Sequence, residues 1–98
     1  MRDLYRIQLS SAAWQDLKAA QRQHPEAYRE FITTGIPRLA TDPLGSTEPM
    51  VGDLTGKRSL HFGRKPEFRC VFMIQERIVL VIAIGPHDDA YRRAKERR

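Results

Sequence analysis

Arg69 sits in the run Phe68-Arg69-Cys70-Val71-Phe72-Met73-Ile74, and an arginine among strand apolars needs a reason to be there. Around it fall Lys57, Arg58, His61, Arg64 and Lys65, then Gly85-Pro86-His87 and Tyr91. Guanidinium and ammonium groups attract phosphate or carboxylate, and imidazoles are the usual proton carriers of proteins. Net charge is +5 but unevenly placed: six Lys/Arg meet seven Asp/Glu in residues 1–56, and eleven meet five in residues 57–98. A one-sided basic surface suits a phosphate-rich partner or an acidic protein. The competing use is solubility, which asks nothing specific of any one cation.

The elements that must hold these residues follow from periodicity. Phe68 to Ile74 and Ile78 to Ile84 read as two strands joined across Gln75-Glu76-Arg77. A strand is expected at about Arg58 to Gly63; if Leu60 and Phe62 face a core, Ser59 and His61 face away. In the next strand Phe68, Cys70, Phe72 and Ile74 share one face, with Arg69, Val71 and Met73 on the other. This phase puts Arg69 and His61 on the same side of an antiparallel sheet. Leu4 to Leu9 alternates as a first strand, with Tyr5, Ile7 and Leu9 on one face. Ser10 or Ser11 can cap a helix over about 12–23, with Ala13, Trp14, Leu17 and Ala20 as its apolar stripe and Trp14 as a core anchor.

Pro25 opens a second helix carrying Tyr28, Phe31, Ile32, Ile36 and Leu39, in which Gly35 and Pro37 predict a kink or a break. Thr41 to Pro49 is turn-rich and reads as loop, and Met50 to Gly56 is ambiguous. Asp88 or Asp89 can cap a short basic helix at the C-terminus. The expected fold is α+β: an N-terminal strand, a two-helix hairpin on one face of a small, mainly antiparallel sheet of about four strands, and that last helix. Residues 1–98 are read as one domain with one modest core. The one cysteine, Cys70, excludes an internal disulfide and suits a reducing cytoplasm, the expected location. The longest apolar run, Ile78 to Ile84, is too short to cross a membrane.

The order strand, two helices, three antiparallel strands and a basic tail resembles the RelE/ParE superfamily of bacterial toxins, the toxin halves of type II toxin–antitoxin pairs. The resemblance is carried by Leu54-Thr55-Gly56, by Phe68-Arg69 and by Ile82-Ala83-Ile84-Gly85-Pro86-His87 leading to Tyr91. In its RelE-like members it implies a ribosome-dependent endoribonuclease: the 2′-hydroxyl of messenger RNA in the ribosomal A site attacks the neighbouring phosphate, without metal or cofactor. Such a reaction needs a base, cations on the phosphate and an acid.

Position by position, Arg69 matches the family's third-strand arginine on the phosphate. His87 stands near its basic residue after the last strand, and Tyr91 at its C-terminal tyrosine, which stacks on a base or orients the phosphate. His61 occupies the second-strand face where lysines are common, leaving His61 and His87 as candidate base and acid. Arg58, Arg64, Lys65, Arg92 and Arg93 are the implied RNA-binding cations, and Lys95, Arg97 and Arg98 extend that surface toward RNA or a cognate antitoxin. Competing uses stand beside these: Arg69 pairing with Glu67 or Glu76, His87 as a turn residue, Tyr91 packing on the sheet edge. The superfamily also contains ParE-like toxins that inhibit DNA gyrase by binding, and a relative that binds RNA or antitoxin without cleaving is the third reading.

Overall fold

The two longest strands form the centre of the sheet. In the computed structural model, which describes residues 4–97, β4 (Phe68–Gln75) and β5 (Ile78–Pro86) are antiparallel. Gln75 pairs with Ile78, so the turn between them is two residues, Glu76-Arg77, with Glu76 in the left-handed region at φ 56. On one side of this hairpin β1 (Arg6–Leu9) runs parallel to β5; on the other β3 (Arg58–Phe62) runs antiparallel to β4. A fifth strand, β2 (Glu48–Pro49), pairs with the outer edge of β3, giving the order β1-β5-β4-β3-β2. The expectation of about four strands missed it inside what read as loop. Two residues carry no detectable period, and proline, lacking an amide, is tolerated only at such an edge.

Ser10 caps α1 (Ser11–Gln23): its hydroxyl accepts from the Ala13 amide at 3.1 Å. Pro25 opens α2 (Pro25–Glu30), which passes through a π-helical turn, Phe31–Gly35, directly into α3 (Ile36–Thr41). The interruption expected at Gly35 and Pro37 therefore takes the form of a widened turn. Proline cannot donate to the ladder and its ring crowds the carbonyl one turn back; one extra residue in the turn relieves both. The Ile36 amide accordingly reaches back to the Phe31 carbonyl. A Cβ on Gly35 would lie 2.9 Å from Phe31 Cδ1 and 3.3 Å from Leu60 Cδ2, so the bare glycine lets the helix close onto β3.

These helices cover one face of the sheet. Ala13, Leu17, Phe31 and Leu39 bury against Leu60, Phe62, Phe68, Cys70 and Phe72, with Tyr5, Ile7 and Leu9 at the margin, as the alternation predicts. Trp14, the expected anchor, is instead 50% exposed. The inward stripe of α1 is Ala13, Asp16, Leu17 and Ala20, and including Asp16 turns Trp14 outward.

On the opposite face α4 (His87–Arg97) lays Ala90 and Ala94 on Val71, Ile82, Ala83 and Leu54. Leu54 closes the 3₁₀ turn Gly52–Leu54, which resolves the ambiguous segment. Helix α4 starts at His87, so Asp88 and Asp89 lie in its first turn rather than before it. A bulge lets β5 serve both layers. Val71 pairs with Ala83 and Phe72 with Val81, leaving Ile82 unopposed. Val79, Val81 and Ile84 therefore face the helical layer while Ile82 and Ala83 face α4.

Pairing with β1 ends at Val81, and side chains take over the β5 edge beyond it. The Asp16 carboxylate accepts the Ile84 amide at 3.0 Å; Arg97 donates to the Ile82 carbonyl at 3.1 Å and Arg93 to the Ile84 carbonyl at 2.6 Å. Arg97 also grips both oxygens of Asp16, at 2.6 and 3.1 Å. Buried backbone groups need such partners, so this latch completes the sheet while joining α1 to α4.

Candidate functional site

Arg69 and His61 are direct partners across β4 and β3, on the face that carries α4. The Arg69 side chain is only 12% exposed because it is gripped from two sides. One oxygen of Glu67 accepts from Nε at 3.0 Å and from Nη2 at 2.8 Å, and the Tyr91 hydroxyl accepts from Nη1 at 2.6 Å. Tyr91 projects from the second turn of α4, its ring centroid 5.6 Å from the guanidinium carbon. His87, the first residue of α4, lies 4.7 Å from that ring, with Nδ1 2.8 Å from the Asp88 carboxylate. Its backbone amide donates to the Glu67 carbonyl at 3.1 Å, which ties the start of α4 to the start of β4.

Two carboxylates complete the cluster. His61 Nδ1 lies 4.0 Å from Glu67 and Nε2 lies 3.6 Å from Glu48 on β2. The Glu67 carboxyl is held below its ordinary range, chiefly by its hydrogen bond to Arg69; partial desolvation opposes this, and the charges of Arg69, His61 and His87 reinforce it. The result is one fixed guanidinium with acceptors around it, His61 across the strand pair and His87 against the Tyr91 ring.

The structure thus brings Arg69, His61, His87 and Tyr91 together. It sends the other expected cations elsewhere. Arg58 is on the face of Leu60 and Phe62, where it donates to Thr47 Oγ1 at 2.8 Å and to the carbonyls of Thr47 and Leu44, fastening the loop before β2. Arg64 and Lys65 line a separate cleft with His24, Pro25 and Ala27 at the junction of α1 and α2. There His24 packs edge-on against Phe68 at 5.2 Å, a packing role. Arg92 is exposed and pairs with Asp89 at 3.2 Å, while Arg93 and Arg97 belong to the latch. Arg98 lies outside the described residues.

Glu48 and Glu67 are the members that reading the sequence did not place at the site. Glu67 was visible as a partner for Arg69; Glu48 gave no signal, because only the β2–β3 pairing carries it to His61. Cys70 is fully buried among apolar side chains, and burial pushes its thiol pKa up, away from reactivity. Among the described residues no group of three His, Cys, Asp or Glu side chains is placed to hold a metal ion, and no helix is long and apolar enough to cross a membrane.

Comparison with known proteins agrees with this architecture. Among solved structures, the toxin–antitoxin complex RelBE2 from Mycobacterium tuberculosis superposes with a TM-score of 0.69 at 19% identity, over 85% of this chain and 98% of that one. The YoeB/ParE toxin from Agrobacterium tumefaciens gives 0.66 at 24%, over 84% and 98%. YafQ from E. coli gives 0.60 at 19%, over 86% and 94%. At these identities the likeness is one of fold. No curated protein matches the chain by sequence. The family described as ParE toxin of type II toxin-antitoxin system, parDE, matches residues 7–91. Since that match runs from β1 into α4 and so spans most of the chain, the chain belongs to the ParE toxin family of type II toxin–antitoxin systems.

Proposed function

We propose that this toxin is a ribosome-dependent endoribonuclease that cleaves messenger RNA in the A site, acting in the cytoplasm. The observation that supports it is the Arg69 cluster: a fixed guanidinium fork, suited to phosphate, with His61, Tyr91 and His87 gathered on one sheet face. Cleavage forms a bond from the 2′-oxygen to phosphorus and breaks the bond from phosphorus to the 5′-oxygen, leaving a cyclic phosphate and a free 5′-hydroxyl. His61, whose Nε2 lies 3.6 Å from Glu48 and whose Nδ1 lies 4.0 Å from Glu67, takes the proton from the 2′-hydroxyl. Arg69 stabilises the extra negative charge on the pentavalent phosphate, where a fixed donor pair is worth more than in water. His87 returns a proton to the departing 5′-oxygen. Glu67 pre-orients Arg69 and gives way as the phosphate arrives, because both want the same N–H groups.

Primer extension on abundant messages shortly after induction tests this. Cuts within translated frames, lost when initiation is blocked and lost in Arg69→Ala, are expected. A second reading has its own support, since the matching family is that of ParE: inhibition of DNA gyrase by binding. It predicts intact messages, a DNA-damage response and toxicity that survives His61→Ala with His87→Ala. Growth unaffected by induction would leave a non-cleaving binder. The RelBE2 structure is a toxin–antitoxin complex, and an antitoxin whose acidic or apolar segment covers this basic face is the partner proposed here; co-purification with the product of the neighbouring reading frame checks it.

A further inference from the structure

The sheet has two edges, and they are finished differently. At one, β2 is a two-residue strip of exposed Glu48 and Pro49, which offers another strand little to pair with. At the other, β1 lies open. The amides of Arg6 and Ser10 donate inward to the carbonyls of Arg77 and Val81, at 2.7 and 3.0 Å. Alternation turns the backbone of Gln8 inward with them, and that of Tyr5, Ile7 and Leu9 outward. The Tyr5 amide is met at 2.8 Å by the Ala40 carbonyl, near the end of α3. The amides and carbonyls of Ile7 and Leu9 have no partner among the described residues. Such a row of unpaired groups is a template for another strand. The side chains agree: Ile7 and Leu9 face the helical layer yet are only partly buried, and Leu4 and Trp14, which flank the strand, are 60% and 50% exposed.

This edge is complementary to itself. Set a second β1 antiparallel to the first about a two-fold axis at Gln8, and Ile7 of each copy lies opposite Leu9 of the other. Each of these pairs exchanges both of its backbone hydrogen bonds, so all the open groups are used and the bond from Tyr5 to Ala40 is left intact. Gln8 then faces Gln8 of the second copy at a non-hydrogen-bonded position, where side chains approach most closely and two amides can bond each other. Arg6 falls opposite Ser10 rather than another cation. The same register carries Leu4 of each copy to the first turn of α1 of the other, the turn that bears Trp14.

We propose that the chain pairs with a second copy of itself through the β1 edge, joining the two sheets into one. A strand of unrelated sequence would satisfy the backbone equally well. It would not bring an apolar side chain to Leu4 at one end and to Trp14 at the other, and that match is what favours a second copy. The pairing uses no residue of the Arg69 cluster, which stands on β4 and β3 with β5 between it and this edge. It is therefore independent of the ribonuclease reading, and message cleavage is not its readout.

The test is sedimentation and amide hydrogen exchange of the whole chain, from micromolar to millimolar concentration, the range in which a small interface associates. The sedimenting mass is expected to double across it. Exchange at Ile7 and Leu9 should slow over the same range, while Gln8 and Ser10, already bonded to β5, stay protected throughout. Gln8→Lys sets two cations directly opposite each other and should weaken association by roughly fivefold, as should Gln8→Glu with two anions. An equimolar mixture of these two variants should associate more tightly than either alone. Gln8 is exposed, so neither change touches the core. Trp14→Ala should weaken association by roughly tenfold through lost apolar contact. A chain that stays single at millimolar concentration, with Ile7 and Leu9 exchanging freely, would overturn the proposal. A dimer indifferent to both Gln8→Lys and Trp14→Ala would move the contact to another surface and overturn it too. A mixture no tighter than its components would overturn the register. Protection of Ile7 and Leu9 that appears only on adding the product of the neighbouring reading frame would give the edge to that protein's strand instead.

Discussion

Replacing Arg69 by alanine removes a donor fork aimed at developing charge, and loss of one such preorganised group costs about 10²–10³-fold in rate. Message cleavage in a purified translation system should fall by that much while the urea midpoint moves little. Arg69→Lys should not restore the rate, because a single ammonium cannot hold Glu67, Tyr91 and a phosphate in one plane. Glu67 makes a prediction of the opposite kind. Its carboxyl sits below the ordinary value of 4.5, chiefly through the hydrogen bond to Arg69. A group with a depressed folded pKa contributes stability above its unfolded value and loses it as pH falls through the folded one. The stability gap between wild type and Glu67→Gln should therefore be full near neutral pH, begin to close below 4.5, and vanish in stronger acid. A gap that grew in acid would contradict the pairing seen here. At this scale the sequence pointed to Arg69, because a charged residue interrupting an apolar run is visible locally. It could not point to Glu48, whose only distinction is where β2 lies.

The helix from Pro25 to Thr41 shows what an element can and cannot reveal by itself. Gly35 and Pro37 announce an irregularity, since neither suits a helix interior, yet they do not say whether the chain breaks or widens. Packing decides: Phe31 and Leu39 must both reach the sheet, and a π-turn keeps them on one face where a break would not. Gly35→Ala is accordingly predicted to destabilise. Helix propensity alone favours alanine by about 1 kcal/mol, but a methyl 2.9 Å from the buried Phe31 ring overpacks the contact at a cost of about 1–3 kcal/mol. A net loss of up to about 2 kcal/mol in urea unfolding is expected; a more stable variant would mean that the ring moves aside freely. The β5 bulge follows the same logic, since Ile82 and Ala83 share a face only because the strand must serve cores on both sides.

Asp16 holds the whole molecule together at one edge. It joins α1, the exposed edge of β5 and α4, elements from opposite faces of the sheet. Asp16→Ala would leave the Ile84 amide without its acceptor and two guanidinium groups without their shared carboxylate. Because both arginines keep some contact with water, the expected cost is about 2–4 kcal/mol, toward the lower part of what a broken buried ion pair costs. Hydrogen exchange should show α4 losing protection before the sheet does, since α4 has only Ala90 and Ala94 as buried apolar contacts of its own. Uniform loss across all elements would argue against a local latch. Displacing α4 also removes His87 and Tyr91 from Arg69, so this variant should lose cleavage along with the helix.

Much of this protein was determined by the sequence on its own. Two-residue alternation set which side of each strand faces the helices, and so put His61 on the same side of the sheet as Arg69; only the register makes them direct partners. Helical spacing and Ser10 set where α1 begins, and charge counting located the basic half. These signals are local, and a residue expresses them whatever lies far away in the chain. The tertiary structure decided how each charge is used. Arg93 and Arg97 read as free cations, yet they are struts, because their carboxylate lies 81 residues from Arg97. Arg58 fastens a loop, Trp14 faces water because Asp16 is turned inward, and Glu48 reaches the site through a two-residue strand. Whether a cation is spent on carbonyls and carboxylates of its own chain or left for an RNA phosphate depends on neighbours brought together only by folding, and no spacing along the chain records them.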